Sequence, residues 1–182
     1  MKFFELQDNP DLKYAPRIKN WYGKIDTRDI TLAKFPDLPQ RQLFILEPAE
    51  KIIFTDLILF PFLLVSPSVM SIIQMYREQC FFRDVILLDQ VGGESRLYYL
   101  PVFNETNKLC VAEKGDKSLK DTDFRLSKRK VYVDNNIFWA NDSKKKHTII
   151  SLDLAESMLK RNITGLGIKE VELFMEREEL LT

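Results

Sequence analysis

The sequence predicts an α+β fold, a mainly antiparallel twisted sheet with two Ser-capped helices packed on it and a Pro-rich N-terminal wrapping segment. Three observations carry that expectation. Ser66-Pro67 follows a short apolar run and opens a stretch with helical spacing; Ser151 does the same later in the chain. Between them, Val91-Gly92-Gly93-Glu94 supplies hairpin turn residues between two strand-like runs. Finally, Pro10, Pro16, Pro36, Pro39 and Pro48 leave no room for a long regular element in the first fifty residues.

Taken in order, Lys2 to Gln7 and Gln42 to Leu46 read as short strands, with Trp21, Tyr22 and Gly23 in an ordered irregular stretch between them. This part is too aromatic and apolar to be disordered, so residues 1–50 are expected to wrap the same domain. Phe62 to Val65 is a strand running into the first helix, where Val69, Ile72, Ile73 and Tyr76 share one face as far as Gln79. Val85 to Leu88 and Arg96 to Phe103 form the hairpin. Leu97, Tyr99 and Pro101 mark one face of its second strand, and Pro101 places that strand at an edge or end.

Leu109 to Ala112, Val131 to Val133, Ile137 to Ala140 and Thr148 to Ile150 are further short strands, with Glu113 to Lys130 as a polar loop. Ser151 caps the helix Leu152 to Arg161, with Asp153 near its positive end; Gly165 and Gly167 mark the exit, and Ile168 to Leu173 alternates like a strand. Residues 51–175 form the main α+β unit, and residues 176–182 an acidic tail that continues a frayed helix from Phe174. There is also an internal echo. Val65-Ser66, helix and Val85 to Leu88 match Ile150-Ser151, helix and Glu170 to Leu173 at one offset, pairing Val69 with Leu154 and Ile73 with Met158. The plainer account is preferred, that any Ser-capped helix between strands would show such an echo; a true duplication would give a two-lobed arrangement.

Composition removes most catalytic classes. The 182 residues carry 27 basic and 27 acidic side chains, one histidine and two cysteines. That balance argues against a dedicated binder of nucleic acid or an anionic membrane. The counts leave no His-His-carboxylate or four-cysteine metal site, so no metal or cofactor is expected. Asp8, Asp11 and Glu5 interrupt any signal peptide, and Ile52 to Val65 is too short to span a bilayer, so the protein is expected to be cytoplasmic. Cys80 and Cys110 follow no disulfide framework, and the sequons at Asn104, Asn141 and Asn162 read as chance matches in polar turns.

A hydrolytic triad would have to use His147, but it follows Lys144, Lys145 and Lys146 and is expected in a solvated turn. Gly92-Gly93 and Gly165-x-Gly167 stand in the wrong order for phosphate cradles. Asp116, Asp121 and Asp123 read as a solvated charged loop, and the basic runs Arg125 to Lys130 and Lys144 to Lys146 as solubilising strand-turn lysines. What remains is protein recognition. Trp21, Tyr22 and Trp139 are the aromatic types favoured at interfaces, and Glu170, Glu172 and Glu176 could face a basic partner.

The residues Phe62-Leu-Leu-Val-Ser-Pro-Ser-Val-Met-Ser-Ile-Ile, Val85-Ile-Leu-Leu, Leu97-Tyr-Tyr-Leu-Pro-Val-Phe and Ile149-Ile-Ser-Leu-Asp-Leu-Ala-Glu-Ser-Met-Leu, with Thr164-Gly165-Leu166 after them, form one combined pattern. That pattern resembles the immunity domains of bacterial polymorphic toxin systems, formerly a domain of unknown function, over about residues 50–175. It consists of packing and capping positions and contains no catalytic residue. The resemblance implies a small cytoplasmic protein, monomer or homodimer, that binds a cognate protein toxin and blocks it without turnover. The alternative is an uncharacterised enzyme, or an assembly component from a secretion or phage-related cluster.

Overall fold

The computed structural model describes residues 2–76, 80–103, 105–106, 125–127, 136–141 and 146–174. The N-terminal residues Phe3–Gln7 form strand β1, and Arg41–Ile45 form β2, with short 3-10 turns at Thr27–Asp29 and Phe35–Asp37 between them. Then come β3 (Leu57–Ile58), β4 (Leu64–Val65), helix α1 (Pro67–Tyr76), β5 (Phe81–Leu88) and β6 (Ser95–Val102). Next are β7 (Glu105–Thr106), β8 (Arg125–Ser127), β9 (Ile137–Asn141), β10 (Lys146–Ser151), helix α2 (Leu152–Lys160) and β11 (Gly167–Phe174). These build two sheets, a six-stranded one ordered β7-β9-β10-β1-β11-β8 and a five-stranded one ordered β2-β5-β6-β4-β3. Most pairings are antiparallel, so the α+β expectation holds, although two sheets share the work of one.

The two sheets repeat one plan. In the first unit Val65 pairs with Leu57 on one side and Tyr99 on the other, and Tyr99 pairs onward with Asp84. In the second, Ile150 pairs with Ile137 and Phe4, and Phe4 pairs onward with Glu170. Each unit is completed by a parallel edge strand, β2 on β5 and β8 on β11. The plan is therefore edge strand, hairpin, Ser-capped helix, return strand and a final strand inserted between hairpin and return. In the second unit that final strand is β1, from the other end of the chain. The echo preferred above as coincidence thus extends to a strand plan shared by both sheets apart from β7, and in the second unit the plan is closed by the N-terminus. Strand pairing also corrects the alignment by one residue, matching Glu170 to Asp84, because the connection after α2 is longer than its counterpart.

Equivalent polar contacts tie the copies together. Ser66 Oγ donates to Asp56 Oδ1 at 2.8 Å, and Ser151 Oγ donates to Asn136 Oδ1 at 2.8 Å. The same two hydroxyls accept from Val69 N at 3.4 Å and Leu154 N at 3.2 Å, capping both helices. Each anchor then reaches across to the other copy. Asp56 Oδ2 accepts from the Thr164 backbone N at 2.9 Å and its hydroxyl at 2.7 Å, just past α2; Asn136 Nδ2 donates to the Tyr76 carbonyl at 3.2 Å, at the end of α1. Burial raises the Asp56 pKa, but the hydrogen bonds from Thr164 and Ser66 outweigh it and hold the carboxyl below its ordinary value. Gly165 lies at φ +86, where a Cβ would press on the Leu57 carbonyl oxygen, so glycine is required for this crossing.

One hydrophobic core runs through both units, from Leu6 and Ile18 through Val69, Ile73 and Leu100 to Ile150, Leu154 and Met158. The helices pack on each other and on their own sheets. Residues 1–50 thus supply a strand to each sheet as well as a cover. In β6 the buried face is Tyr98, Leu100 and Val102, whereas Leu97 is exposed and Tyr99 half-buried. Pro101 is accommodated because β4 pairs only at Tyr99, leaving β6 with one neighbour at the proline. Arg125–Ser127, expected within a loop, is a strand because the exposed side of β11 offers it a ladder. The expected strands Leu109 to Ala112 and Val131 to Val133, the end of the first helix to Gln79, and the acidic tail lie outside the described residues; Phe174 itself closes β11.

Candidate functional site

A cleft of about 780 Å³ opens between the two units. Because strand pairing fixes which positions correspond, its two walls can be compared residue by residue. Phe62 and His147 each stand three positions before the paired Val65 and Ile150; Leu100 and Glu5 each follow the paired Tyr99 and Phe4. All four line the cleft, as do Leu63 and its counterpart Thr148. The first unit's wall is apolar. The second unit places an imidazole and a carboxylate at the same positions.

Glu5 is 4% exposed and His147 8%, and Glu5 Oε1 lies 2.6 Å from His147 Nδ1. Gln7 Nε2 donates to the other oxygen, Glu5 Oε2, at 2.9 Å. The alternation of β1 explains half of this: Phe3 and Glu5 share one buried face of it, opposite the face that Leu6 sends into the common core. His147 and Ile149 likewise share the face of β10 opposite Thr148 and Ile150, and that face is buried too; the strand begins at Lys146. The expectation of a solvated His147 is therefore wrong. The lysine run ends where the strand starts, and the pleat turns His147 in. Lys146 sends Nζ to the Ile30 carbonyl at 3.1 Å and over the Trp139 ring at 4.2 Å. Arg28, at the cleft margin, grips Asp26 through its side chain and backbone, drawing that carboxyl down to about 2.

The residues singled out from sequence are not brought together. Trp21 and Tyr22 do meet, edge to face with centroids 5.7 Å apart, and Trp21 meets Phe60 at 6.1 Å. Tyr22 is 87% exposed and Phe60 65%, so two rings project beside a half-buried tryptophan at the rim of the cleft. Trp139, by contrast, is 3% exposed and packs on Phe103 at 4.3 Å, so it is a core and cleft-lining residue and no surface anchor. Glu170 lies in β11 and pairs with Lys2 at 3.0 Å. Glu172 shares that strand, and its side chain, like the whole of Glu176, lies outside the described residues.

Sequence reasoning missed Phe60, Glu5 and the placement of His147. One signal was present: the internal echo aligns His147 with Phe62, an apolar position. Among the described residues no three His, Cys, Asp or Glu side chains gather as a metal site, and no helix is long and apolar enough to cross a membrane. No protein-family model and no curated protein matches this sequence.

Proposed function

We propose that this is a cytoplasmic immunity protein that binds a cognate bacterial protein toxin and blocks it by occlusion. The observation that carries the reading is the rim cluster of Trp21, Tyr22 and Phe60. Single exposed apolar residues are ordinary, but two projecting rings buttressed by a third aromatic form the rigid, amphipathic kind of anchor that dominates interface energetics. The class of partner is inferred from the sequence pattern over residues 50–175 alone, since no family model matches it. Occlusion needs no chemistry from this chain.

The test is co-expression with the toxin-like product encoded beside it. Growth should be rescued and the two proteins should co-purify. A Tyr22→Ser/Phe60→Ser variant should stay folded and bind about 100-fold more weakly. Absence of both protection and binding would sink the proposal. One observation favours a second reading as an enzyme, the carboxylate-held His147 at a cleft. Loss of protection in His147→Phe with co-purification retained would favour that reading.

A further inference from the structure

We propose that one face of the five-stranded sheet, across β2, β5 and β6, docks a second copy of this chain about a two-fold axis that sets Arg41 of each copy over Asp84 of the other. The proposal does not depend on the toxin reading.

Strand register assembles the face. Leu43 pairs with Ile86 and Ile86 with Leu97, so one aliphatic row crosses the three strands. Ile45 and Leu88 extend it on one side, and Arg41 and Asp84 border it on the other. These residues lie opposite the buried Phe44, Val85, Leu87 and Tyr98, because side chains alternate along a strand. Leu43 is 46% exposed and Leu97 41%, while Ile45, Ile86 and Leu88 are half-buried. Scattered exposed apolar residues are ordinary, but a contiguous block on three neighbouring strands marks a contact surface.

The second unit shows that the plan does not require this row. Its equivalents are Arg125, Glu172 and Lys2: Arg125 pairs with Glu172, and Lys2 stands two positions before Phe4 as Leu97 does before Tyr99. Lys2 and Glu170 are more than half exposed and pair with each other. Where the second unit carries charges suited to water, the first carries leucine and isoleucine.

Charge then selects the occupant. Arg41 Nε and Nη2 both donate to Asp84 Oδ2, at 3.1 and 2.7 Å, so the border of the row holds both signs in balance. A strongly acidic or basic partner finds no field to match it, and a formal net charge of zero sets up no long-range repulsion between copies. A two-fold axis along the strands, between β2 and β5, matches the face to itself. Arg41 then lies over Asp84, Leu43 over Ile86 and Ile45 over Leu88. The edge of β2 is not the route. Lys19 N and Asn20 Oδ1 bond Ile45, and Lys24 Nζ donates to the Leu43 carbonyl, so strand addition is blocked there. With ~4.8 Å between strands and ~6.8 Å between same-face residues, the block covers only about 300 Å², against about 800 Å² per partner in a standard interface. The dimer is therefore weak, with a Kd of about 0.1 mM.

The experiment is sedimentation equilibrium of the whole chain from about 10 µM to about 1 mM. The wild type should pass from monomer to dimer across that range. Leu43→Arg/Ile86→Glu/Leu97→Lys, which copies the second unit's row, should stay folded and monomeric. Arg41→Asp and Asp84→Arg should each weaken self-association about tenfold, and an equimolar mixture of the two should restore it, because opposite charges then face each other across the axis. That mixture decides even if the triple variant does not fold. A wild type still monomeric at about 1 mM, an unaltered dimer in the triple variant, or a mixture no tighter than its components would overturn the proposal. So would a monomer whose triple variant loses the toxin, which would give the face to that partner instead.

Discussion

The two repeat units share a backbone plan and differ in what they put at equivalent places. Where the first unit has Phe62 and Leu100, the second has His147 in contact with Glu5. Where the first anchors its cap serine with Asp56, a carboxylate, the second uses Asn136, a neutral amide. In each pair the second unit's choice fits the same geometry with different electrostatics. The lesson is that strand pairing, capping and helix packing account for the shared plan, and neither exchange is needed to make it. The differences are the places to look for function and for pH dependence.

The comparison is broken hardest at the buried pair. Glu5→Leu alone leaves the His147 ring without its carboxylate in the core and should destabilise by about 3–5 kcal/mol in urea denaturation. The matching change in the first unit, Leu100→Glu, should cost at least as much, because it buries a carboxylate with no cationic partner at the position of His147.

A smaller effect is expected at the anchors. Asp56→Asn copies Asn136 and should cost about 1.5 kcal/mol at neutral pH, since it weakens two hydrogen bonds from Thr164. The sign of its pH dependence follows from the lowered Asp56 pKa. Its contribution is present above the unfolded carboxylate value and is lost as pH falls through the folded one. The gap between wild type and Asp56→Asn should therefore narrow below about pH 4. A gap independent of pH would mean that the ionised state of the carboxylate is not what makes Asp56 the better anchor.

The smallest effect sharpens the likeness. Ser66→Ala and Ser151→Ala remove equivalent caps, each also bonded to its anchor, and should each cost about 1 kcal/mol. Clearly unequal losses in thermal melts would show that the two caps are not energetically equivalent.

Local structure was legible because its causes are local. The Ser-Pro and Ser-Leu-Asp helix starts, the Gly92-Gly93 turn and the alternation in Ile168 to Leu173 each specify their own backbone. The repeated plan was half legible. Its helices echo in sequence, but its last strand comes from residues 3–7, and no periodicity links that strand to β10 and β11. The Glu5–His147 pair was hidden for the same reason, since its partners are 142 residues apart. The lysines before His147 pointed to solvent, and only the strand register turns it inward. Trp139 misled in the opposite direction. An aromatic beside turns suits an interface by type, yet β9 places it against Phe103 inside the core.

The central claim is that the Glu5–His147 pair replaces Leu100 and Phe62 of the first unit without being needed to make the shared plan. The most direct measurement is the urea stability of Glu5→Leu/His147→Phe beside its two single changes. The account predicts a double variant at or above the stability of wild type. A double variant as unstable as the sum of its single changes would contradict it.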